Sequence, residues 1–161
     1  MRNILITTLA TIIVPGVAVF LVPYLILQST SPLSPSPVGA VEVASLVLAA
    51  IGLAMVVWVS VAFVRHGKGT PVPFEPPSEF VAAGLYRFVR NPMYFGALLA
   101  VFAEAIFFHS AWVLLYAALL WLALHTFTIL VEEPQLETRF GEIYNDYRAR
   151  TPRWIPRRPK P

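Results

Sequence analysis

Four stretches of this chain, Ile4–Leu27, Val43–Val64, Pro92–Phe108 and Ala111–Val131, hold a single Asp, Glu, Lys or Arg among them, Glu104. About 20 apolar residues in a helix cover the roughly 30 Å hydrocarbon core of a bilayer. A chain of 161 residues with 57% hydrophobic and 13% charged residues, and a mean hydropathy of +0.68, is far more apolar than a water-soluble domain. Lipid is the implied solvent. The expected fold is therefore all-α, a polytopic membrane helical bundle of about four transmembrane helices.

The boundaries follow from proline, glycine and charge. Ile4–Leu27 is interrupted only by Pro15 and Pro23. It exceeds the apolar region of a secretory signal, about 7–15 residues, and lacks a small-x-small cleavage site, so it reads as a retained span. Ser29–Pro37, with Pro32, Pro35 and Pro37 among serines, predicts an extended external loop rather than helix. Arg65–Glu79 carries Gly67, Gly69, Pro71, Pro73, Pro76 and Pro77. It predicts an irregular segment that must be wet or buried in protein, because lipid cannot satisfy its backbone. Asn91-Pro92 predicts a helix start, since proline at the first helical position needs no amide donor. The third span is then short, on the order of 25 Å, and needs local thinning or a partly submerged turn.

His109-Ser110 is a tight connection, so the third and fourth spans form a helical hairpin. Pro134 is predicted to end the fourth span by breaking the backbone ladder and biasing Glu133 away from helical angles. From Gln135 onward Leu136, Phe140, Ile143, Tyr144 and Tyr147 recur at helical spacing between charged residues. They predict a C-terminal amphipathic interfacial helix. Residues 1–66 then make an N-terminal two-span segment, and residues 67–161 a core of hairpin and C-terminal cap, within one continuous membrane domain.

Arg2 precedes the first span, Arg65, Lys68, Arg87 and Arg90 lie between the second and third, and every other basic residue follows the fourth. By the positive-inside rule both N- and C-termini are expected in the cytoplasm, with the cell membrane as the location. This interleaving also argues against nucleic acid as the partner of a chain with net charge +3. The absence of cysteine excludes disulfides and thiolate catalysis, and three scattered histidines form no metal-ligand pattern.

The chemically useful side chains gather on the cytoplasmic side of the expected topology: Arg87, Arg90, Asn91, Tyr94, Glu132, Glu133, Tyr144, Tyr147 and Arg153. A hairpin returns its two ends to one depth, so the Asn91-Pro92 helix start and the Glu132-Glu133 pair are expected to be neighbours. Free amides at a helix start favour an anion and two glutamates favour a cation, so a zwitterionic ligand would suit both. The same residue types also serve as topology anchors, belt aromatics and solvated helix ends. Adjacent glutamates lie about 100° apart on a helix, so at most one is expected to face a pocket while the other reaches water or a basic partner. Glu104 is costly inside a span, with His125 as a candidate partner at similar depth. Glu42 reads as interfacial, and Trp58, Phe102, Trp112 and Trp121 read as packing or belt residues.

Gly69-Thr70-Pro71, Pro76-Pro77, Gly84-Leu85-Tyr86-Arg87, Arg90-Asn91-Pro92-Met93-Tyr94 with Gly96, Glu132-Glu133-Pro134, Leu136, Phe140-Gly141, Tyr144, Tyr147 and Pro152-Arg153-Trp154-Ile155-Pro156 follow one another in order. This set, over about residues 67 to 157, resembles the integral membrane methyltransferases: the isoprenylcysteine carboxyl methyltransferase family and its phospholipid N-methyltransferase relatives. The resemblance implies an S-adenosylmethionine-dependent enzyme of membrane helices, so no glycine-rich Rossmann fingerprint is expected. It implies that Arg90, Asn91, Pro92 and Tyr94 with Glu132 and Glu133 line the cofactor pocket. Tyr86 and Gly96 would shape that pocket, and Tyr144, Tyr147 and Arg153 would close it. Where the carboxyl methyltransferases often carry histidine before the proline, this chain has Asn91, as do many bacterial members and some phospholipid methyltransferases.

The acceptor implied is a small lipophilic molecule or a lipid. A carboxylate acceptor would need a cation such as Arg153, and an amine acceptor a base such as Glu132 or Glu133. Two other readings stand beside this one. Sterol reductases have a partly similar C-terminal hairpin motif, and binding of a reduced nicotinamide cofactor would favour that class. A non-catalytic membrane scaffold would keep the bundle and bind no S-adenosylmethionine.

Overall fold

The computed structural model describes residues 13–30, 38–66 and 82–158. Among these the chain is helical, with no strand. Helix α1 runs over Ile13–Thr30, α2 over Ala40–His66, α3 over Pro92–Phe107, α4 over Ala111–Phe140 and α5 over Glu142–Arg150. A single tight turn, Gly84–Arg87, precedes α3. Three helices, α1, α2 and α4, are long and apolar enough to cross a membrane, and α3 is a shorter apolar helix beside them. This is the expected all-α membrane bundle.

Within lipid the hydrophobic effect does not drive helices together, so close packing and hydrogen bonds must. The α2–α3 contact shows how. Buried positions on α2 fall at Glu42, Ser45, Gly52 and Val59, a narrow stripe, and α3 answers with Gly96, Ala97, Ala100 and Ala103. At the crossing the backbones nearly touch: a Cβ on Gly52 would sit 2.5 Å from the Gly96 carbonyl oxygen, and one on Gly96 would sit 2.6 Å from the Gly52 oxygen.

The hairpin of α3 and α4 closes as expected. His109 takes a left-handed conformation at φ 49°, and the Ser110 hydroxyl accepts from the Val113 amide at 3.3 Å to cap α4. At this end the carboxyl of Glu42 accepts from the Gly39 amide at 2.7 Å and lies 3.3 Å from His109 Nε2. Glu42 is thus a buried tie between the start of α2 and the hairpin turn rather than a merely interfacial residue.

Pro134 does not end the fourth span; α4 continues to Phe140. The reason lies just upstream, where Thr128–Glu132 forms a wider π turn and the Glu133 amide donates to the Thr128 carbonyl, five residues back. Opening the ladder by one residue removes the crowding that proline otherwise imposes on the preceding turn, and Glu133 keeps helical angles at φ −62°, ψ −44°. The same device occurs in α1, where the π turn Val17–Leu21 has its closing bond from Val22 to Val17 directly before Pro23. The helix breaks instead at Gly141, whose φ of 53° only glycine adopts readily, so the expected single C-terminal helix is the end of α4 plus α5. Ser29 and Thr30, expected in a loop, are helical, their hydroxyls donating to the Ile26 carbonyl at 3.0 and 2.7 Å, and Arg65 and His66, expected in the irregular segment, are the last residues of α2. The remaining expected loop residues, 31–37 and 67–79, and the start of the first span at Ile4 lie outside the described residues.

Candidate functional site

The start of α3 and the second half of α4 do meet. Side chains on a helix lean toward its N-terminus, so Tyr94 on α3 reaches out of the bundle while Glu132 on the antiparallel α4 reaches back into it. The Tyr94 hydroxyl donates to Glu132 Oε1 at 2.6 Å, and Thr128, one turn earlier, donates to Oε2 at 3.2 Å. Glu133 faces the other way into two arginines. Arg90 Nη1 donates to its Oε1 at 2.9 Å, while Arg153 grips it with two prongs, Nε to Oε1 at 2.6 Å and Nη2 to Oε2 at 3.0 Å. Side-chain exposure is 11% for Arg90, 9% for Glu133 and 28% for Arg153, so the cluster is largely desolvated. Neither glutamate is the solvated member of the pair; one has neutral partners and the other has both cations.

The C-terminal segment brings Arg153 there by backbone pairing. The Arg90 amide donates to the Pro152 carbonyl at 2.9 Å, the Arg157 amide to the Phe88 carbonyl at 3.0 Å, and Asn91 Nδ2 to the Arg153 carbonyl at 3.2 Å. Asn91 is therefore spent on the strap and its side chain does not cap α3, which starts with Pro92 at its first position. Trp154 pins the strap to α4: its Nε1 donates to His125 Nδ1 at 2.9 Å, and Trp121 stacks on His125 with ring centroids 5.0 Å apart. His125 consequently does not pair with Glu104.

From α5, Tyr144 is buried with its hydroxyl 3.5 Å from Arg90 Nη1, and the Tyr147 hydroxyl donates to the Tyr86 carbonyl at 2.7 Å. Desolvation raises the phenols of Tyr86, Tyr144 and Tyr147 above the ordinary value, so all three stay neutral near physiological pH. The hydrogen bonds to Glu133 hold Arg153 more firmly protonated than a free guanidinium.

Arg90, Asn91, Tyr94, Glu132, Glu133, Tyr144, Tyr147 and Arg153 thus form one polar corner, with Tyr86 and Pro92 at its edge. Gly96 lies elsewhere, in the α2–α3 crossing. Thr128, His125 and Trp154 belong to the corner's support and were not singled out for it in the sequence. Thr128 had a signal, because a hydroxyl four residues before a glutamate on one helix faces it.

The family model for phospholipid methyltransferases matches residues 41–143. Neither a curated protein nor a solved structure matches the chain. The match runs from the start of α2 through both halves of the polar corner into α5. Covering well over half of the 161 residues, it places the chain in the phospholipid methyltransferase family, a family of membrane methyltransferases.

Proposed function

We propose that this protein transfers a methyl group from S-adenosylmethionine to the amine of a lipophilic or lipid acceptor at the polar corner. The observation carrying this reading is the division of labour between adjacent glutamates, Glu133 held by Arg90 and Arg153 and Glu132 held, among the described residues, by the neutral Tyr94 and Thr128.

The residues present fit the cofactor's amino-acid end. Arg90 Nε is buried with no hydrogen-bond partner among the described residues, and the uncapped start of α3 is beside it. Both would meet the cofactor's carboxylate, which leaves the carboxyl of Glu132 for the acceptor. Bound there, S-adenosylmethionine would supply an electrophilic methyl group on a sulfonium.

The protein's part is to hold and orient donor and acceptor, exclude water, and take a proton. Glu132 is the better base for an amine, because both oxygens of Glu133 already accept from guanidinium groups. The same arrangement disfavours a carboxylate acceptor, since Arg153, the cation that would orient it, is committed to Glu133. Burial against Tyr144 and the Trp154 strap keeps the corner dry, and the acceptor's apolar part would enter from the lipid side.

The test is incubation of the purified protein in detergent with methyl-labelled cofactor and either lipid amines or lipid carboxylates. Labelled N-methyl product, abolished in Glu132→Gln with cofactor affinity retained, supports the reading. Label appearing only in methyl esters would overturn the amine assignment, and undetectable cofactor binding by calorimetry would overturn the enzyme.

A further inference from the structure

Where α1 crosses α3, a groove of about 690 Å³ is lined chiefly by Gly16, Phe20, Tyr24, Leu27, Glu104 and Phe108. It is separate from the polar corner: Glu104 lies twelve residues along α3 from Pro92, about 18 Å at the helical rise. The size suits a small-molecule ligand, and the walls are apolar except for one phenol and one carboxyl group. Glu104 Oε2 is buried and has no hydrogen-bond partner among the described residues, while the nearby Tyr116 hydroxyl is spent on the Ala18 carbonyl at 2.9 Å. On the α1 side the groove stays open at Gly16, where an added Cβ would meet nothing within 4 Å.

A carboxyl group at membrane depth that lines a lipid-side groove, with no partner for its Oε2 among the described residues, suits a hydrogen-bond donor with positive charge. We propose that the groove binds a single-chain lipophilic amine, its ammonium donating to Glu104 and its hydrocarbon chain lying along α1 between Ile13 and Leu27. Charge complementarity selects this occupant. A fatty acid would set two carboxyl groups against each other, and a phospholipid would bring a phosphate that none of the lining residues can neutralise. A fatty alcohol can hydrogen-bond to Glu104 but brings no positive charge to favour the ionised carboxyl. The fourteen helical rises from Ile13 to Leu27, about 21 Å, give room for one extended chain. This site stands apart from the proposed methyl-transfer centre.

The full chain in phosphatidylcholine nanodiscs, titrated with dodecylamine by calorimetry, tests it. Saturable binding to the wild type is expected, with affinity falling about tenfold or more in Glu104→Gln, which keeps the side chain's shape and removes its charge. Gly16→Phe, filling the groove while sparing Glu104, should lower affinity similarly, and dodecanoate should bind at least about tenfold more weakly than the amine. Arg90→Lys, which perturbs the polar corner, should leave the Glu104-dependent part of the amine binding unchanged, so failure here is distinguishable from failure of the methyl-transfer reading. Unaltered binding in Glu104→Gln, equal binding of dodecanoate, or partition without saturation would each overturn the proposal.

Discussion

Arg153 meets Glu133 as a two-pronged ion pair, with Nε 2.6 Å from one carboxylate oxygen and Nη2 3.0 Å from the other. Arg90 approaches the same carboxylate at 2.9 Å, so one acidic side chain joins the start of α3, the far half of α4 and the C-terminal strap. Buried ion pairs give little net stability compared with apolar packing, but removing one partner strands the other. Among the described residues Glu133 is the acidic partner of both cations.

Glu133→Ala should therefore cost about 3 kcal/mol in stability, more than Arg153→Ala, because it leaves Arg90 and Arg153 facing each other across a desolvated gap. Arg153 is the most exposed of the three, so its loss should be discounted for solvent screening. Denaturant unfolding in detergent ranks the variants. If Glu133→Ala unfolds together with the wild type, Glu133 is not the junction described.

Tyr94 and Glu132 make a charge-assisted bond of 2.6 Å across the hairpin. Tyr94→Phe should cost about 1.5–3 kcal/mol, and Glu132→Gln should add little on top of it because its main partner is already gone. The double-mutant cycle should then show a coupling of about 1 kcal/mol or more. Additive losses would mean that the two side chains act independently.

Much of this corner was legible because hairpin geometry follows from local signals. Asn91-Pro92 starts a helix, His109-Ser110 turns it, and the return path brings Glu132-Glu133 to the same depth. The misreadings share one cause, that local preference was overridden by a backbone adjustment or a distant partner. Pro134 looked like a terminator because its effect on a regular α-helix is disruptive, and the π turn at Thr128–Glu132 relieves that effect without any residue type that announces it. Gly96 sits in a motif full of site residues, yet its missing side chain serves the contact with Gly52. His125 found Trp154, twenty-nine residues away, instead of Glu104, and no spacing rule links those positions.

The helix crossing gives a prediction that needs no assay of activity. Gly52→Ala and Gly96→Ala each place a carbon at 2.5–2.6 Å from a backbone oxygen, where no side chain can swing aside, and should cost about 1–3 kcal/mol by overpacking. Gly16→Ala, on the open side of α1, should be neutral or stabilising by about 0.5–1 kcal/mol through helix propensity alone. Thermal unfolding of the three variants checks the contrast. Equal behaviour would show that α2 and α3 are not in backbone contact at this point.

Alkaline pH should release the C-terminal cap. Desolvation raises the phenols of Tyr86, Tyr144 and Tyr147 in the folded protein above the value of about 10 that they take when unfolded. Raised values of this kind contribute stability that is whole below pH about 10 and is lost as pH climbs through the folded values. Arg153 is likewise pushed upward, by its bonds to Glu133, so its ion pair opposes the release rather than driving it. Tyrosinate absorbance should therefore appear later in the folded protein than in the unfolded chain, and together with faster amide exchange across Glu142–Arg150. Tyr147→Phe sharpens the test. It gives up the bond to the Tyr86 carbonyl, about 1 kcal/mol at neutral pH, but removes one of the groups whose ionisation drives the release, so its alkaline loss of stability should be the shallower. Parallel curves for wild type and variant would show that Tyr147 takes no part in the alkaline transition.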